Sequence, residues 1–242
     1  MKRTHLPLPD HSGGGNFYDK YGSRNPIERH LVRRFLEDLG ALVDQTGASH
    51  IHEVGCGEGV LIASLARPGR TLCASDCSME VIRKAAQRHG NLKPPIVFEA
   101  VALEHLDFKR HGAQLIICCE VLEHVSDPVG ALGRLQYLAQ PYLLASVPRE
   151  PLWCLLNMLR LKYLPDFGNT PGHQHHWSTA SFVSLLNQHF HVLEVRRPLP
   201  WTMALCRANR ASAELHRARE RSEPPSEFNS GQFSDSESIR CA

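Results

Sequence analysis

Hydrophobic and polar positions along this chain follow two alternating periods, which predict helices and strands in turn. From Asn25 to Leu42, apolar residues recur at three- and four-residue steps, a spacing typical of an amphipathic helix. Five short apolar runs then predict strands, and periodic stretches between them predict helices. These runs are HIHEV at about 50–54, TLCASD, PIVFEAVA, AQLIICC and PYLLASVP. Two closing strands are expected within HVLEVRRPLPWTMALC, which gives seven strands.

Strands that alternate with helices at this spacing predict an α/β fold with a doubly wound, mostly parallel sheet and helices on both faces. Such a sheet binds its ligands at the carboxyl ends of the strands. We expect one folded domain over 16–206, with a helical and loop insert at about 149–177 that forms a lid. A flexible segment over 1–15 and a disordered tail over 207–242, rich in Ser, Glu and Arg, are expected to flank it.

Composition and charge narrow the choice of compartment and partner. A chain of 242 residues that is 42% hydrophobic can bury one sizeable core. The balance of 27 basic and 25 acidic residues gives no electrostatic reason to expect nucleic acid or an anionic membrane as partner. The eight cysteines lie mostly in apolar runs, which favours reduced thiols. Since no stretch resembles a signal peptide or a membrane span, we expect a soluble, cytoplasmic protein, of open oligomeric state.

The most specific motif is EVGCGEG, which follows the first strand and precedes a helix. Glycines at Gly55, Gly57 and Gly59 let the backbone turn tightly and approach a ligand, and the helix that follows presents N–H groups to an anion. A dinucleotide site typically has the spacing G-x-G-x-x-G, so the spacing G-x-G-x-G argues against NAD. The motif therefore predicts a different cofactor site; the alternative is an ordinary turn, with Asp76 as a solvated helix cap.

This spacing, with an acid two residues before the first glycine, resembles motif I of the class I S-adenosylmethionine-dependent methyltransferases. The resemblance implies that Glu53 and the loop backbone, Cys56 included, hold the amino acid end of S-adenosylmethionine. It also implies that Asp76, at the end of the second strand, accepts hydrogen bonds from the ribose hydroxyls. We also expect the adjacent Cys77 to contact the cofactor.

The resemblance extends over about residues 25 to 206, with one departure at the adenine side. Ala102 stands where the family usually has an aspartate. Glu104, two residues later, is therefore the candidate for the adenine contact.

A second motif, CCEVLEHVSDP, places Glu120, Glu123 and His124 directly after the fourth strand. One helical turn here would bring the two carboxylates and the imidazole to one face. Such a set repels itself unless a cation, a proton or a substrate donor compensates, and it offers oxygen and nitrogen ligands to a divalent metal. The alternative is that Glu120 and His124 line the cofactor pocket and Glu123 caps the turn.

The loop GHQHHWS carries His173, His175 and His176, of which only one or two can face the site. A Glu-x-x-Glu-His segment followed by a later histidine resembles the small-RNA 2′-O-methyltransferases. There, the equivalents of Glu120, Glu123, His124 and His173 bind a divalent metal. The segment EVLEHV also resembles that of the ubiquinone-pathway O-methyltransferases. Both resemblances imply Mg²⁺ or Mn²⁺ as a further cofactor.

The predicted function is S-adenosylmethionine-dependent O-methylation of a small-molecule hydroxyl of quinol, phenol or glycosyl type. The four residues Glu120, Glu123, His124 and His173 are the candidates for catalysis and for metal binding, and Glu120 is also expected to face the cofactor. The apolar insert suits a lid over a small acceptor. Two alternatives stay open: an RNA 2′-O-methyltransferase and a methyltransferase-like interaction module without catalysis.

Overall fold

The protein is built around one seven-stranded sheet, seen in a computed structural model that describes residues 25–159, 170 and 172–209. Its strands are β1 (His50–Val54), β2 (Thr71–Asp76), β3 (Ile96–Ala100), β4 (Ala113–Cys119), β5 (Ala139–Pro148), β6 (Phe190–Arg196) and β7 (Trp201–Ala208). The strand order is β3-β2-β1-β4-β5-β7-β6. All neighbours are parallel except β7, which is antiparallel to both β5 and β6. The predicted doubly wound, mostly parallel sheet is confirmed.

Helices cover both faces of the sheet. Within the described residues they are α1 (Pro26–Thr46), α2 (Val60–Ser64), α3 (Met79–His89), α4 (Phe108–His111), α5 (Pro128–Leu138), α6 (Leu152–Leu159) and α7 (Thr179–Leu186). Side chains at the predicted starts cap them: Asn25 accepts from Ile27 N, Asp127 from Gly130 N, and Ser178 from Ser181 N.

Strand β4 divides the core into two layers. Leu115 and Ile117 pack with α1, α2 and α3 on one face, whereas Ile116 and Cys118 pack with α5 and α7 on the other. All four side chains are 0% exposed. Because burial stabilises each large aliphatic side chain by about 1.5–3 kcal/mol, this strand anchors the sheet at its centre.

The parallel strands β1 to β5 all end at one side of the sheet, here called the carboxyl edge. The glycine loop (55–59) follows β1 there, and Asp76 ends β2. Glu120 follows β4, and Glu150 lies just beyond β5. The fold thus gathers residues from distant parts of the sequence at the place where α/β sheets bind ligands.

Some boundaries differ from the sequence prediction. Helix α1 continues to Thr46, since Val43 is still buried and Gly47 ends the helix at a φ of 62°. Strand β7 runs two residues past 206, to Ala208. The 3-10 turn Leu103–His105 and the short helix α4 were not predicted, because three or four residues are too few to show a period.

Several expectations fall outside the described residues. These are the flexible segment 1–15, the part of the expected lid at 160–169, and the tail from 210 to 242. Among the helices that are described, none has both the length and the apolar content needed to cross a membrane.

Candidate active site

The glycine loop is held against the end of β2 by its own backbone. Gly55 N and Cys56 N both donate to the carbonyl oxygen of Ser75, at 2.8 and 2.9 Å. Gly55, Gly57 and Gly59 have φ values of 71°, 53° and 73°, which side-chain-bearing residues rarely adopt. A Cβ atom at Gly55 would lie 2.3 Å from Cγ2 of Val121. The loop therefore needs glycine both for its turn and for its close approach to the segment after β4.

Asp76 lies directly beside this loop. Its side chain accepts hydrogen bonds from Gly57 N at Oδ2 and from Ser78 N at Oδ1, both at 3.0 Å. A carboxylate has about four lone-pair positions, so these two bonds orient Asp76 and leave acceptor capacity for ribose hydroxyls. Cys77, next to it, is exposed, and so is Glu104 on the 3-10 turn after β3.

Glu53 is buried behind the loop, with 1% of its surface exposed. Its Oε2 accepts a hydrogen bond from Ile62 N at 2.9 Å, in the first turn of α2. A carboxylate here satisfies an N–H group that the helix leaves open and complements the helix dipole. Glu53 thus fixes α2 to the end of β1, and its predicted contact with the cofactor stays a prediction.

Cys56 is buried between these carboxylates. Burial raises the pKa of its thiol well above the ordinary value, and the charges of Glu53 and Asp76 raise it further. Cys56 is therefore a neutral thiol in the wall of the loop rather than a nucleophile.

Glu120 begins the segment after β4 in a left-handed conformation, with a φ of 61°. Non-glycine residues held in this region are typical of functional sites, where surrounding contacts impose the strain. Those contacts are Trp201 Nε1, which donates to Oε2 at 2.6 Å, and Ser146 Oγ, which donates to Oε1 at 3.2 Å. Trp201, 81 residues away, was not predicted as a site residue, and no local signal in the sequence points to it.

Three of the four predicted metal ligands come together. Glu123, His124 and His173 each offer one ligand atom, and these atoms lie within 4.8 Å of one another. This group is called the Glu-His-His cluster below. Glu120 is not part of it, so the four-ligand set stays a prediction.

The orientation of His124 suits it to a ligand role. Its Nδ1 lies 3.0 Å from the carbonyl oxygen of Gly172, which can only accept, so Nδ1 donates. In the neutral ring, Nε2 then carries the lone pair that a metal ligand or a general base requires. The ring of His173 lies edge-on to that of His124, with centroids 4.9 Å apart, and Glu123 is only 1% exposed.

The histidine loop (172–177) docks along the segment Glu123 to Val125. Gln174 N and His175 N donate to the carbonyl oxygen of Glu123, at 2.8 and 3.3 Å. His175 Nε2 donates to Val125 O at 3.0 Å, and its ring stacks on Trp177. The three loop histidines therefore differ: His173 joins the cluster, His175 binds backbone, and His176 lies 3.4 Å from Glu150.

Aromatic side chains form one wall beside the cluster. Trp153 lies 6.3 Å from the ring of His173 and 6.0 Å from that of Trp201, and Phe35 meets Trp201 edge-on at 5.0 Å. Trp153 Nε1 donates to Thr170 Oγ1 at 2.9 Å. Such a wall favours contact with flat or apolar groups.

Known proteins share this fold. A family model described as a methyltransferase domain matches residues 51–141, from β1 into β5. A crystal structure of magnesium protoporphyrin IX methyltransferase from Synechocystis PCC 6803 with bound S-adenosylhomocysteine aligns with a TM-score of 0.59 and 20% identity. The alignment covers 78% of this chain and 90% of that one. Residues 51–141 are therefore a methyltransferase domain, and the chain has the fold of solved S-adenosylmethionine-dependent methyltransferases.

Two further proteins are similar to this chain, one in sequence and one in fold. The ubiquinone biosynthesis O-methyltransferase of Xanthomonas oryzae pv. oryzae is 28% identical over 166 residues, which cover 66% of this chain and 67% of that protein. The methyltransferase domain of bacterial CtHen1 aligns with a TM-score of 0.56 and 19% identity, covering 74% of this chain and 99% of that domain. The second likeness concerns the fold alone.

Proposed function

We propose that this enzyme methylates the hydroxyl oxygen of a small cytoplasmic molecule of quinol, phenol or glycosyl type. The observation that carries the proposal is the Glu-His-His cluster beside the glycine loop: Val121, which abuts Gly55, lies two residues before Glu123. The similarity to ubiquinone biosynthesis O-methyltransferases supports oxygen as the acceptor atom.

The residues of the carboxyl edge fit S-adenosylmethionine. Gly55, Gly57 and Gly59 hold the loop in its positive-φ turn, and Asp76 has acceptor capacity at the end of β2. In the proposal, the loop holds the amino acid end, Asp76 with Cys77 holds the ribose, and Glu104 contacts the adenine side. Glu53 keeps α2 and the loop in place from behind. When bound, S-adenosylmethionine supplies an electrophilic methyl group on a sulfonium sulfur.

The Glu-His-His cluster fits a divalent cation, because it offers one carboxylate and two imidazoles. Mn²⁺ binds both oxygen and nitrogen ligands, whereas Mg²⁺ would bind mainly through the carboxylate. When bound, a cation lowers the pKa of a coordinated hydroxyl. Glu123, His124 and His173 would hold the cation, and Glu120 would orient the cofactor side of the pocket. If no cation binds, Nε2 of His124 is the group suited to accept the hydroxyl proton.

The aromatic wall supports a compact acceptor. Trp153 lies close to both His173 and Trp201, so a ring-bearing acceptor would stack beside the group that activates its hydroxyl. This positioning brings acceptor oxygen and methyl carbon together, which is the main requirement of a displacement reaction.

The experiment combines an acceptor panel with metal removal. Labelled S-adenosylmethionine is incubated with a catechol, a hydroquinone, a phenol, an aryl glycoside and an aromatic amine, with and without chelator. The expected result is label on a hydroxyl oxygen that chelator abolishes and Mg²⁺ or Mn²⁺ restores. Activity that chelator leaves intact contradicts a required cation, and label on the amine alone contradicts O-methylation.

A second candidate, RNA 2′-O-methylation, is favoured by the same cluster, because its ligands correspond to three of the four expected in small-RNA methyltransferases. Binding of a short single-stranded RNA whose affinity falls steeply with salt, together with label at its terminal ribose, would support it. Absence of both leaves the small-molecule assignment.

A further inference from the structure

A second cluster of metal-ligand side chains lies beyond the end of β5. Ligand atoms of Glu150, Cys154 and His176 lie within 4.8 Å of one another. Glu150 Oε1 is 3.3 Å from Cys154 Sγ and 3.4 Å from His176 Nδ1. This group, called the Glu-Cys-His cluster, shares no residue with the Glu-His-His cluster.

The backbone brings these three residues together. Glu150 N donates to Trp177 O at 2.9 Å, and Arg149 pairs with Trp177, so the end of β5 is fixed to the histidine loop. Cys154 lies in the first turn of α6, and its N–H donates to Oε2 of Glu150 at 3.1 Å. The cluster is therefore held by three different elements before any ligand binds.

The Glu-Cys-His cluster lies at the protein surface, but its carboxylate is largely buried. The side chain of Glu150 is 11% exposed, whereas that of His176 is 40% exposed. An ion can thus enter from the side of His176 and meet a carboxylate that is already oriented. Cys154 and His176 both contact the same carboxylate oxygen of Glu150, which is therefore the centre of the group.

We propose that Glu150, Cys154 and His176 form a second divalent-cation site, one that selects Zn²⁺. A thiolate, an imidazole and a carboxylate are the three donor types of protein zinc sites, whereas Mg²⁺ prefers oxygen alone. Three protein ligands leave the fourth tetrahedral position to water. The Glu-His-His cluster contains no sulfur, so the two sites differ in the ion they favour.

When zinc binds, the thiol of Cys154 must lose its proton. Cys154 Sγ donates to Glu150 Oε1 at 3.3 Å, so the metal-free residue is a thiol. As the zinc–sulfur bond forms, the thiol proton passes to solvent. His176 contributes a nitrogen lone pair; if Nδ1 is the ligand, the neutral ring carries its proton on Nε2.

The site has a consequence for its neighbour. His176 and His173 lie three residues apart in one loop, and their ring centroids are 6.4 Å apart. Zinc bound at the Glu-Cys-His cluster would fasten this loop to α6 and β5, and so fix the position of His173. Metal binding at this cluster does not depend on the proposed methyl transfer.

Cobalt titration of the chelator-treated 242-residue chain tests the proposal, because Co²⁺ bound by a thiolate gives a near-ultraviolet charge-transfer absorption that nitrogen and oxygen ligands do not. The expected result is a saturable band equal to one ion per chain, which Zn²⁺ then displaces. Cys154→Ser should abolish the band, and His176→Ala should weaken Co²⁺ binding at least about tenfold, since each removes one ligand.

Two controls locate the ion. Cys77→Ser removes an exposed thiol outside the cluster and should leave the band unchanged. His124→Ala disables the Glu-His-His cluster and should also leave it unchanged, whatever happens to methyl transfer. Far-ultraviolet circular dichroism of each metal-free variant checks folding, and His176→Ala alters a side chain exposed enough to be replaced without unfolding. A missing band in the wild type, or a band that survives Cys154→Ser, overturns the proposal.

Discussion

Around the glycine loop, the contacts that hold the site come from adjacent strands: Gly57 N reaches Asp76, 19 residues later. At the histidine loop, by contrast, His124 reaches Gly172, 48 residues away and outside any strand pairing. The first region, here the cofactor half, is fixed by the sheet itself. The second, the acceptor half, is fixed by one loop docking on another, so the two halves should respond differently to substitution.

The cofactor half should be the more sensitive to added volume. In Gly55→Ala, the left-handed backbone costs about 1–2 kcal/mol and the contact with Val121 costs about 1–3 kcal/mol more. We expect the affinity for S-adenosylmethionine, measured by titration calorimetry, to fall at least about tenfold, which corresponds to about 1.4 kcal/mol.

A double variant separates the two causes. Gly55→Ala/Val121→Ala should recover the packing part of the loss but not the backbone part. Gly40→Ala in α1 is the matched control, since nothing lies within 4 Å of the added atom, and it should leave affinity unchanged. If Gly55→Ala also binds normally, the close approach of the loop is not required.

Low pH should lower the free energy of unfolding through His52, which lies in the strands beneath the cofactor half. His52 in β1 donates from Nδ1 to His111 O and contacts Ser75 through Nε2. Burial, followed by the charge of His111, lowers the pKa of His52 from 6.5 to about 3. In the unfolded chain, His52 therefore binds a proton below about pH 6.5, whereas in the folded protein it does so only below about pH 3.

Stability should accordingly fall by at most about 1.4 kcal/mol per pH unit in that window because of His52 alone. Urea unfolding at about pH 7 and about pH 5 measures this slope. His52→Gln should have a shallower slope than the wild type, because glutamine does not titrate. Equal slopes would show that His52 does not contribute to the acid response.

A third effect is expected at Trp201, where the two halves meet. Trp201→Phe removes the indole N–H that donates to Glu120, which should cost about 1–3 kcal/mol of unfolding free energy. Trp153→Phe is the matched control, because its lost partner is a neutral hydroxyl, Thr170 Oγ1. The first variant should lose more stability than the second; the reverse order would contradict a special role for the Glu120 contact.

The sequence predicted the cofactor half more fully than the acceptor half, and the reason is physical. Strand bounds such as 50–54 follow from apolar runs, and parallel pairing then brings Asp76 to the glycine loop without further information. The glycines that need a positive φ were visible as a motif.

The acceptor half depended on contacts that no local pattern encodes. Spacing placed Glu123 and His124 on one turn, and the family resemblance pointed to His173, but the docking of the loop that brings His173 and not His175 to them is encoded by no local pattern. The hydrogen bond from Trp201 to Glu120 spans 81 residues across β7, and the Glu-Cys-His cluster joins three separate elements. These are properties of tertiary packing.

The central claim is that the acceptor half activates the hydroxyl while the cofactor half binds S-adenosylmethionine on its own. His173→Ala tests it most directly, with S-adenosylmethionine affinity and kcat for the best acceptor measured on the same sample. The account predicts an unchanged dissociation constant and a fall in kcat of about 10²-fold or more, the size typical of a lost catalytic group. Unchanged kcat, or loss of cofactor binding in step with activity, would contradict it.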